Sequence, residues 1–111
     1  MRDSQFLLEK NPMPITTQVS PDGSELTITI VGNFDFGVQN DFRTSYENAN
    51  AKTYVLDLMK TDYMDSSALG MLLMMREHAG GNKSNIMLKN CSQDIRTILS
   101  VANFQNLFSI T

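Results

Sequence analysis

The sequence predicts an α/β domain: a mixed, mostly parallel sheet with a leading β-hairpin and helices packed on it. Three observations carry this. Strand-like and helix-like runs alternate from about residue 38 onward, which argues for parallel neighbours joined by right-handed crossovers. Ahead of them, two strand-like runs flank a tight turn signal, Ser20-Pro21-Asp22-Gly23. The chain has 111 residues, 41% of them hydrophobic, which suits one compact domain with its own core.

Residues 1–14 read as a lead-in. Asn11-Pro12-Met13-Pro14 resists helix and sheet, because proline lacks an N–H and pushes its predecessor to extended geometry. Phe6, Leu7 and Leu8 are apolar enough to dock on the domain or on a partner. The domain proper is expected over residues 15–111. Ile15 to Val19 is the first strand. After the turn, Leu26, Ile28 and Ile30 alternate with Thr27 and Thr29 as a half-buried second strand. Gly32-Asn33 reads as a break. Val38, Phe42, Tyr46 and Ala49 then fall on one face of a helix. Thr53 to Leu58 is a central strand. Leu69, Leu72 and Leu73 mark the inward face of a second helix that stops at Gly80-Gly81-Asn82. Ile86-Met87-Leu88 is a strand. Ser92 caps a third helix carrying Ile95, Ile98, Leu99 and Ala102 inward. Leu107 to Ile110 is the last strand.

Charge and cysteine usage exclude several function classes. The formal net charge is -3 and the lysines and arginines are scattered, so the stripe that captures nucleic-acid phosphates is missing. The one cysteine, Cys91, cannot form an internal disulfide, and it reads as a small residue beside a turn. The only histidine, His78, has no companions at metal-ligand spacing and reads as a surface residue near a helix end. The apolar run Phe6-Leu7-Leu8 is too short for a signal peptide, and Leu69 to Met75 is too short to span a bilayer. A cytoplasmic protein without metal or cofactor, and without membrane insertion, is the expectation.

The chemistry concentrates in Asp65-Ser66-Ser67, between a strand and the second helix. Such residues at a helix start ordinarily cap it by accepting a bond from a free N–H. The same position tolerates an anion, because unpaired amides and the helix dipole favour negative charge. A phosphate on Ser66 would add about -1.5 to -2 charge without opposing the helix. Asp57 reads as a solvent-side or loop-bonding residue. A Gly-x-Ser-x-Gly elbow is absent, since Met64 and Ala68 stand at its glycine positions, so a Ser66–His78 hydrolase is poorly supported. Nor is there a P-loop; the protein is not expected to be an enzyme.

Tyr63-Met64-Asp65-Ser66-Ser67-Ala68-Leu69-Gly70 resembles the phosphorylation loop of STAS domains of the anti-sigma factor antagonist family. Gly32-Asn33-Phe34-Asp35 is similar to that family's early Gly-x-(Leu/Phe)-Asp turn, and the Val55-Leu56-Asp57-Leu58 strand and the element order also fit. The resemblance implies a STAS-like fold with Ser66 as phospho-acceptor. Asp35 and Asp65 flank and position it, and Ser67 stands beside it. It further implies a partner-switching protein. The unphosphorylated form binds a serine kinase that doubles as an anti-sigma factor, phosphorylation releases it, and a PP2C-type phosphatase restores binding. Met64, Ala68, Met71 and Met74 are the expected partner-contact residues, with core packing left open for Met71 and Met74. Ala68 departs from the family's usual glycine. Alanine stiffens the helix start and makes close backbone approach less easy. The chain also ends at Thr111, without the extra C-terminal helix of many relatives, which points to an output other than a sigma factor. The rival reading is a constitutive STAS adaptor, such as a subunit packed on a transporter ATPase, with Ser66 merely capping.

Overall fold

The computed structural model describes residues 13–111. Most of the lead-in, including Phe6, Leu7 and Leu8, lies outside the described residues. The expected hairpin is present. Strand β1 (Ile15–Val19) pairs antiparallel with β2 (Glu25–Ile30), Ile15 opposite Ile30 and Val19 opposite Leu26. Gly23 takes a positive φ of 77° in the connecting turn. The Asp22 carboxylate locks that turn by accepting bonds from the Ser24 amide and the Ser20 and Ser24 hydroxyls. These bonds stabilise the charged form and lower its pKa to about 2.

The main sheet has five strands in the order β1-β2-β4-β6-β7, where β4 is Thr53–Asp57, β6 is Ile86–Lys89 and β7 is Ser109–Ile110. From β2 onward every pairing is parallel, as the alternation of strands and helices predicts. Three helices cross between the strands: α1 (Gln39–Glu47), α2 (Ser66–His78) and α3 (Gln93–Val101). Their inner faces close on the sheet through Phe42, Tyr46, Ala68, Met71, Leu72, Met75, Ile95 and Leu99. These meet Leu26, Ile28, Ile30, Tyr54, Leu56, Ile86 and Leu88 from the strands. Burying a side chain such as Leu72 contributes roughly 1.5–3 kcal/mol. Among the described residues the one ion pair is an exposed Arg43–Glu47 contact at 3.9 Å, a geometry that adds little. The apolar core therefore holds the fold.

Two elements depart from the expectation. Gly32-Asn33 is not a simple break. Gly32, at a φ of 87°, swings the chain off the main sheet into a short strand β3 (Gly32–Phe34). This strand pairs in parallel with β5 (Thr61–Met64), which lies in the stretch leading into the second helix. The buried Thr61 hydroxyl donates to the Ile30 carbonyl at 2.7 Å and ties this ribbon to β2. At the other end of the chain, only Ser109–Ile110 is strand. A 3-10 turn over Phe104–Asn106 precedes it, and the start of the expected strand, Leu107 and Phe108, closes that turn instead, with Phe104 and Phe108 buried.

Candidate functional site

The ribbon places the site. In β3 and β5, Phe34 stands opposite Met64, both buried, so the next residues, Asp35 and Asp65, emerge side by side at the strands' C-terminal ends. The Asp65 amide donates to the Phe34 carbonyl at 3.4 Å and continues the ladder one step. Ligands of parallel sheets characteristically meet such carboxyl ends.

Asp65, not a serine, caps α2. Its backbone is extended, and one carboxylate oxygen accepts from the Ser67 amide at 3.0 Å and the Ala68 amide at 3.2 Å. The Ser67 hydroxyl donates to the same oxygen. These bonds, led by the Ser67 hydroxyl, hold the Asp65 carboxyl below the usual carboxylate range. Ser67 is thereby engaged and half-buried. Ser66, the first helical residue, is exposed, and among the described residues its hydroxyl makes no hydrogen bond. The capping duty that would occupy a serine has gone to its neighbour. The Ser66 oxygen is free to accept a new group at a helix start, where negative charge is tolerated.

Asp35 repeats the device. It caps a 3-10 turn over Phe36–Val38, accepting from the Gly37 amide at 2.9 Å, and that turn leads directly into α1. A Cβ on Gly37 would stand 3.1 Å from the Asp35 carboxylate, a tight contact that would push the capping oxygen by a few tenths of an ångström. Phe36, which follows Asp35 as Ser66 follows Asp65, is 70% exposed.

The inward face of α2 differs from the expected one. Ala68, Met71, Leu72 and Met75 are buried, Leu69 is half-buried, and Leu73 faces solvent. The helix is apolar nearly all round, so composition alone does not fix its rotation. Two of the expected partner contacts, Met64 and Ala68, are buried in the core, 2% and 0% exposed, and Met71 takes the core-packing role that was left open for it. Only Met74 is exposed, at 56%. Ala68 points inward, so its methyl group does not obstruct a partner. The small residue on the outer face is Gly70, where an added Cβ would meet open space. Ser66, Gly70, Leu73 and Met74 make the outward stripe of α2. Phe36 and Tyr63, exposed aromatics beside the two caps, were not among the expected contact residues. The one signal for Tyr63 was its alternation with Met64 along a strand.

Beside Ser66 a shallow groove of about 400 Å³ runs between α2 and α3, lined chiefly by Met64, Leu69, Ile98, Val101 and Ala102. The remaining candidates are ordinary. His78 stacks edge-on against Tyr46, ring centroids 5.1 Å apart. It stands at the far end of α2 from Ser66, roughly 18 Å away by helical rise, which rules out a Ser66–His78 pair. Asp57 accepts from the Asn90 side chain at 2.9 Å and the Met59 amide at 3.1 Å, bonding a loop as expected. Cys91 is half-buried with its thiol directed at the Leu88 carbonyl, and burial pushes its pKa up, away from reactivity. Among the described residues no group of three or more His, Cys, Asp or Glu side chains could hold a metal ion, and no helix is long and apolar enough to cross a membrane.

A family model described as "Mlab, STAS domain" matches residues 17–109. A STAS-domain containing protein of Pseudomonas aeruginosa (strain UCBPP-PA14) is 52% identical over 101 residues, covering 89% of this chain and 100% of the relative. Among solved structures, a putative anti-sigma factor antagonist from Thermotoga maritima superposes with a TM-score of 0.74 at 14% identity, covering 86% of this chain and 84% of that one. The anti-sigma factor antagonist SpoIIAA in its unphosphorylated form superposes with a TM-score of 0.69 at 18% identity, covering 87% and 86%. The chain belongs to the STAS-domain family and has the fold of its anti-sigma factor antagonists.

Proposed function

We propose that this protein is a phospho-regulated partner switch acting in the cytoplasm, with Ser66 as the modified residue. One observation carries the reading: the Ser66 hydroxyl is exposed and, among the described residues, unbonded, because Asp65 performs the capping. In the unmodified state, the outward stripe of α2 together with Phe36 and Tyr63 offers an apolar surface to a serine kinase that acts as an anti-sigma factor or its counterpart in another pathway. ATP and the catalytic base come with that kinase. Phosphate arriving on Ser66 adds about -1.5 to -2 charge at the centre of this surface. Asp35, Asp62 and Asp65 already make it acidic, so the docked partner is repelled. The helix survives, because its positive end faces the new charge. A PP2C-type phosphatase removes the phosphate and resets the switch.

The test is incubation with the cognate kinase and ATP, read by intact mass and by binding. The native protein should gain one phosphate. Ser66→Ala should bind the kinase and gain none. Ser67→Ala should still be phosphorylated, because its hydroxyl is already committed to Asp65. Phosphate on the Ser66→Ala protein would assign the modification elsewhere and end this reading.

A further inference from the structure

We infer that β1 is a self-complementary edge through which two copies of this chain associate, joining their sheets antiparallel about a two-fold axis at Thr17. Among the described residues β1 pairs only with β2, and the direction of its remaining backbone groups follows from the hairpin register. The Val31 amide donates to the Pro14 carbonyl and the Ser20 amide to the Glu25 carbonyl, at 2.8 and 2.9 Å. Hydrogen-bonded pairs alternate in an antiparallel ladder, so Thr16 and Gln18 also turn their backbone groups toward β2. Ile15, Thr17 and Val19 therefore turn theirs outward. Placing Thr17 opposite Thr17 of a second copy sets Ile15 opposite Val19 at both ends. All three pairs are then of the hydrogen-bonded kind, about six bonds at two per pair.

Side chains agree with that register. Ile15, Thr17 and Val19 share the face that carries α1 and the core, since they oppose Ile30, Ile28 and Leu26. Val19 is 57% exposed, unusual for an apolar strand residue on the core side. An open groove of about 480 Å³ lies beside Ile15, lined from β1 by Ile15, Thr16 and Thr17, with Met13 before them and Asp41, Thr44 and Ser45 from α1. In the paired register it stands where the second copy's Val19 arrives. Met13, 69% exposed, borders the same groove.

Charge also selects a second copy. The chain is net negative, so two copies repel over most of their surfaces, yet residues 13–19 carry no charged side chain. Natural edge strands are ordinarily guarded by lysine, proline or a bulge. Here the strand proper, Ile-Thr-Thr-Gln-Val, contains none of these. The opposite edge, β7, has only two residues to offer. A five-residue edge buries less than the ~800 Å² per partner of a standard stable interface, so the dimer is reversible and concentration-dependent.

The experiment is sedimentation equilibrium of the full-length chain over about 1 to 1,000 µM. Native protein should shift from monomer mass toward twice that mass across the series. Thr17→Pro removes an outward N–H and leaves every β1–β2 bond intact, so it should stay monomeric with an unchanged circular-dichroism spectrum. Thr17→Lys keeps the backbone and sets like charges across the axis; it should weaken association at least tenfold, with partial recovery in high salt. A native protein that is monomeric throughout, or a dimer indifferent to Thr17→Lys, overturns the proposal. Ser66 plays no part in these measurements, so they stand apart from the phospho-switch.

Discussion

Asp35 and Asp65 each leave one strand of the parallel ribbon, and each turns a carboxylate back onto the amide two residues on. In both turns the next residue faces solvent, Phe36 in one and Ser66 in the other. In both, the residue three after the aspartate is buried, Val38 and Ala68 respectively. The difference lies in what the shared frame presents. The Asp35 turn offers an aromatic ring, which a partner reads by burying it. The Asp65 turn offers a hydroxyl, which in the proposed switch is the group a kinase modifies. On that proposal a partner resting across the ribbon's end would touch both, drawing affinity from one turn and regulation from the other.

The largest expected effect tests the regulated turn. Ser66→Asp sets a permanent charge where the partner docks and should weaken kinase binding by about thirtyfold or more, roughly 2 kcal/mol by calorimetry. An unchanged affinity would mean that the partner docks elsewhere. Next comes the aromatic turn. Phe36→Ala should lower the same affinity by about tenfold, ~1.4 kcal/mol, while thermal stability stays within about 0.5 kcal/mol. If binding is untouched, the two turns do not share a partner. A smaller effect separates inside from outside: Ala68→Gly should cost about 1 kcal/mol of stability in denaturant titration and leave binding unaltered. Gained affinity would show that Ala68 contacts the partner after all.

The smallest effect is pH dependence. The Asp65 carboxyl has a lowered pKa in the folded state, so its contribution is complete above the ordinary carboxylate range. That contribution fades as pH falls through the folded value. Asp65→Asn should therefore lose some stability at neutral pH and show a shallower decline than the native chain as pH falls below the ordinary carboxylate range. Parallel stability curves for the two proteins would remove Asp65 from the role of ionised cap.

The two turns also mark what was legible in the sequence. Asp65-Ser66-Ser67 was readable as a helix start because few other residue types accept amide bonds there. The hairpin, the central strands and the Val38–Phe42–Tyr46 stripe were readable from period and turn chemistry. The β3–β5 ribbon was not. Its strands are three and four residues long, too short for alternation to register, and Gly32 resembles a break as much as a bend. The rotation of α2 was hidden for another reason. With Leu69, Met71, Leu72, Leu73, Met74 and Met75 in one run, apolar residues cover nearly every direction. The core takes Met75 and leaves Leu73 41% exposed, so the expected inward face was turned by part of a helical step. The exposure of Phe36 was invisible too, since an aromatic after an aspartate is ordinarily counted toward the core.

The most direct measurement is amide NMR of the kinase-treated protein, with the phosphate located by peptide mass mapping. The phosphate should sit on Ser66, with shifts concentrated at Ser66, Ser67 and Ala68 and across the ribbon at Asp35 to Gly37, the rest of the spectrum holding its folded dispersion. A phosphate mapped to another residue, or a spectrum that collapses on modification, would contradict an exposed helix-start hydroxyl that changes partners while the fold stays intact.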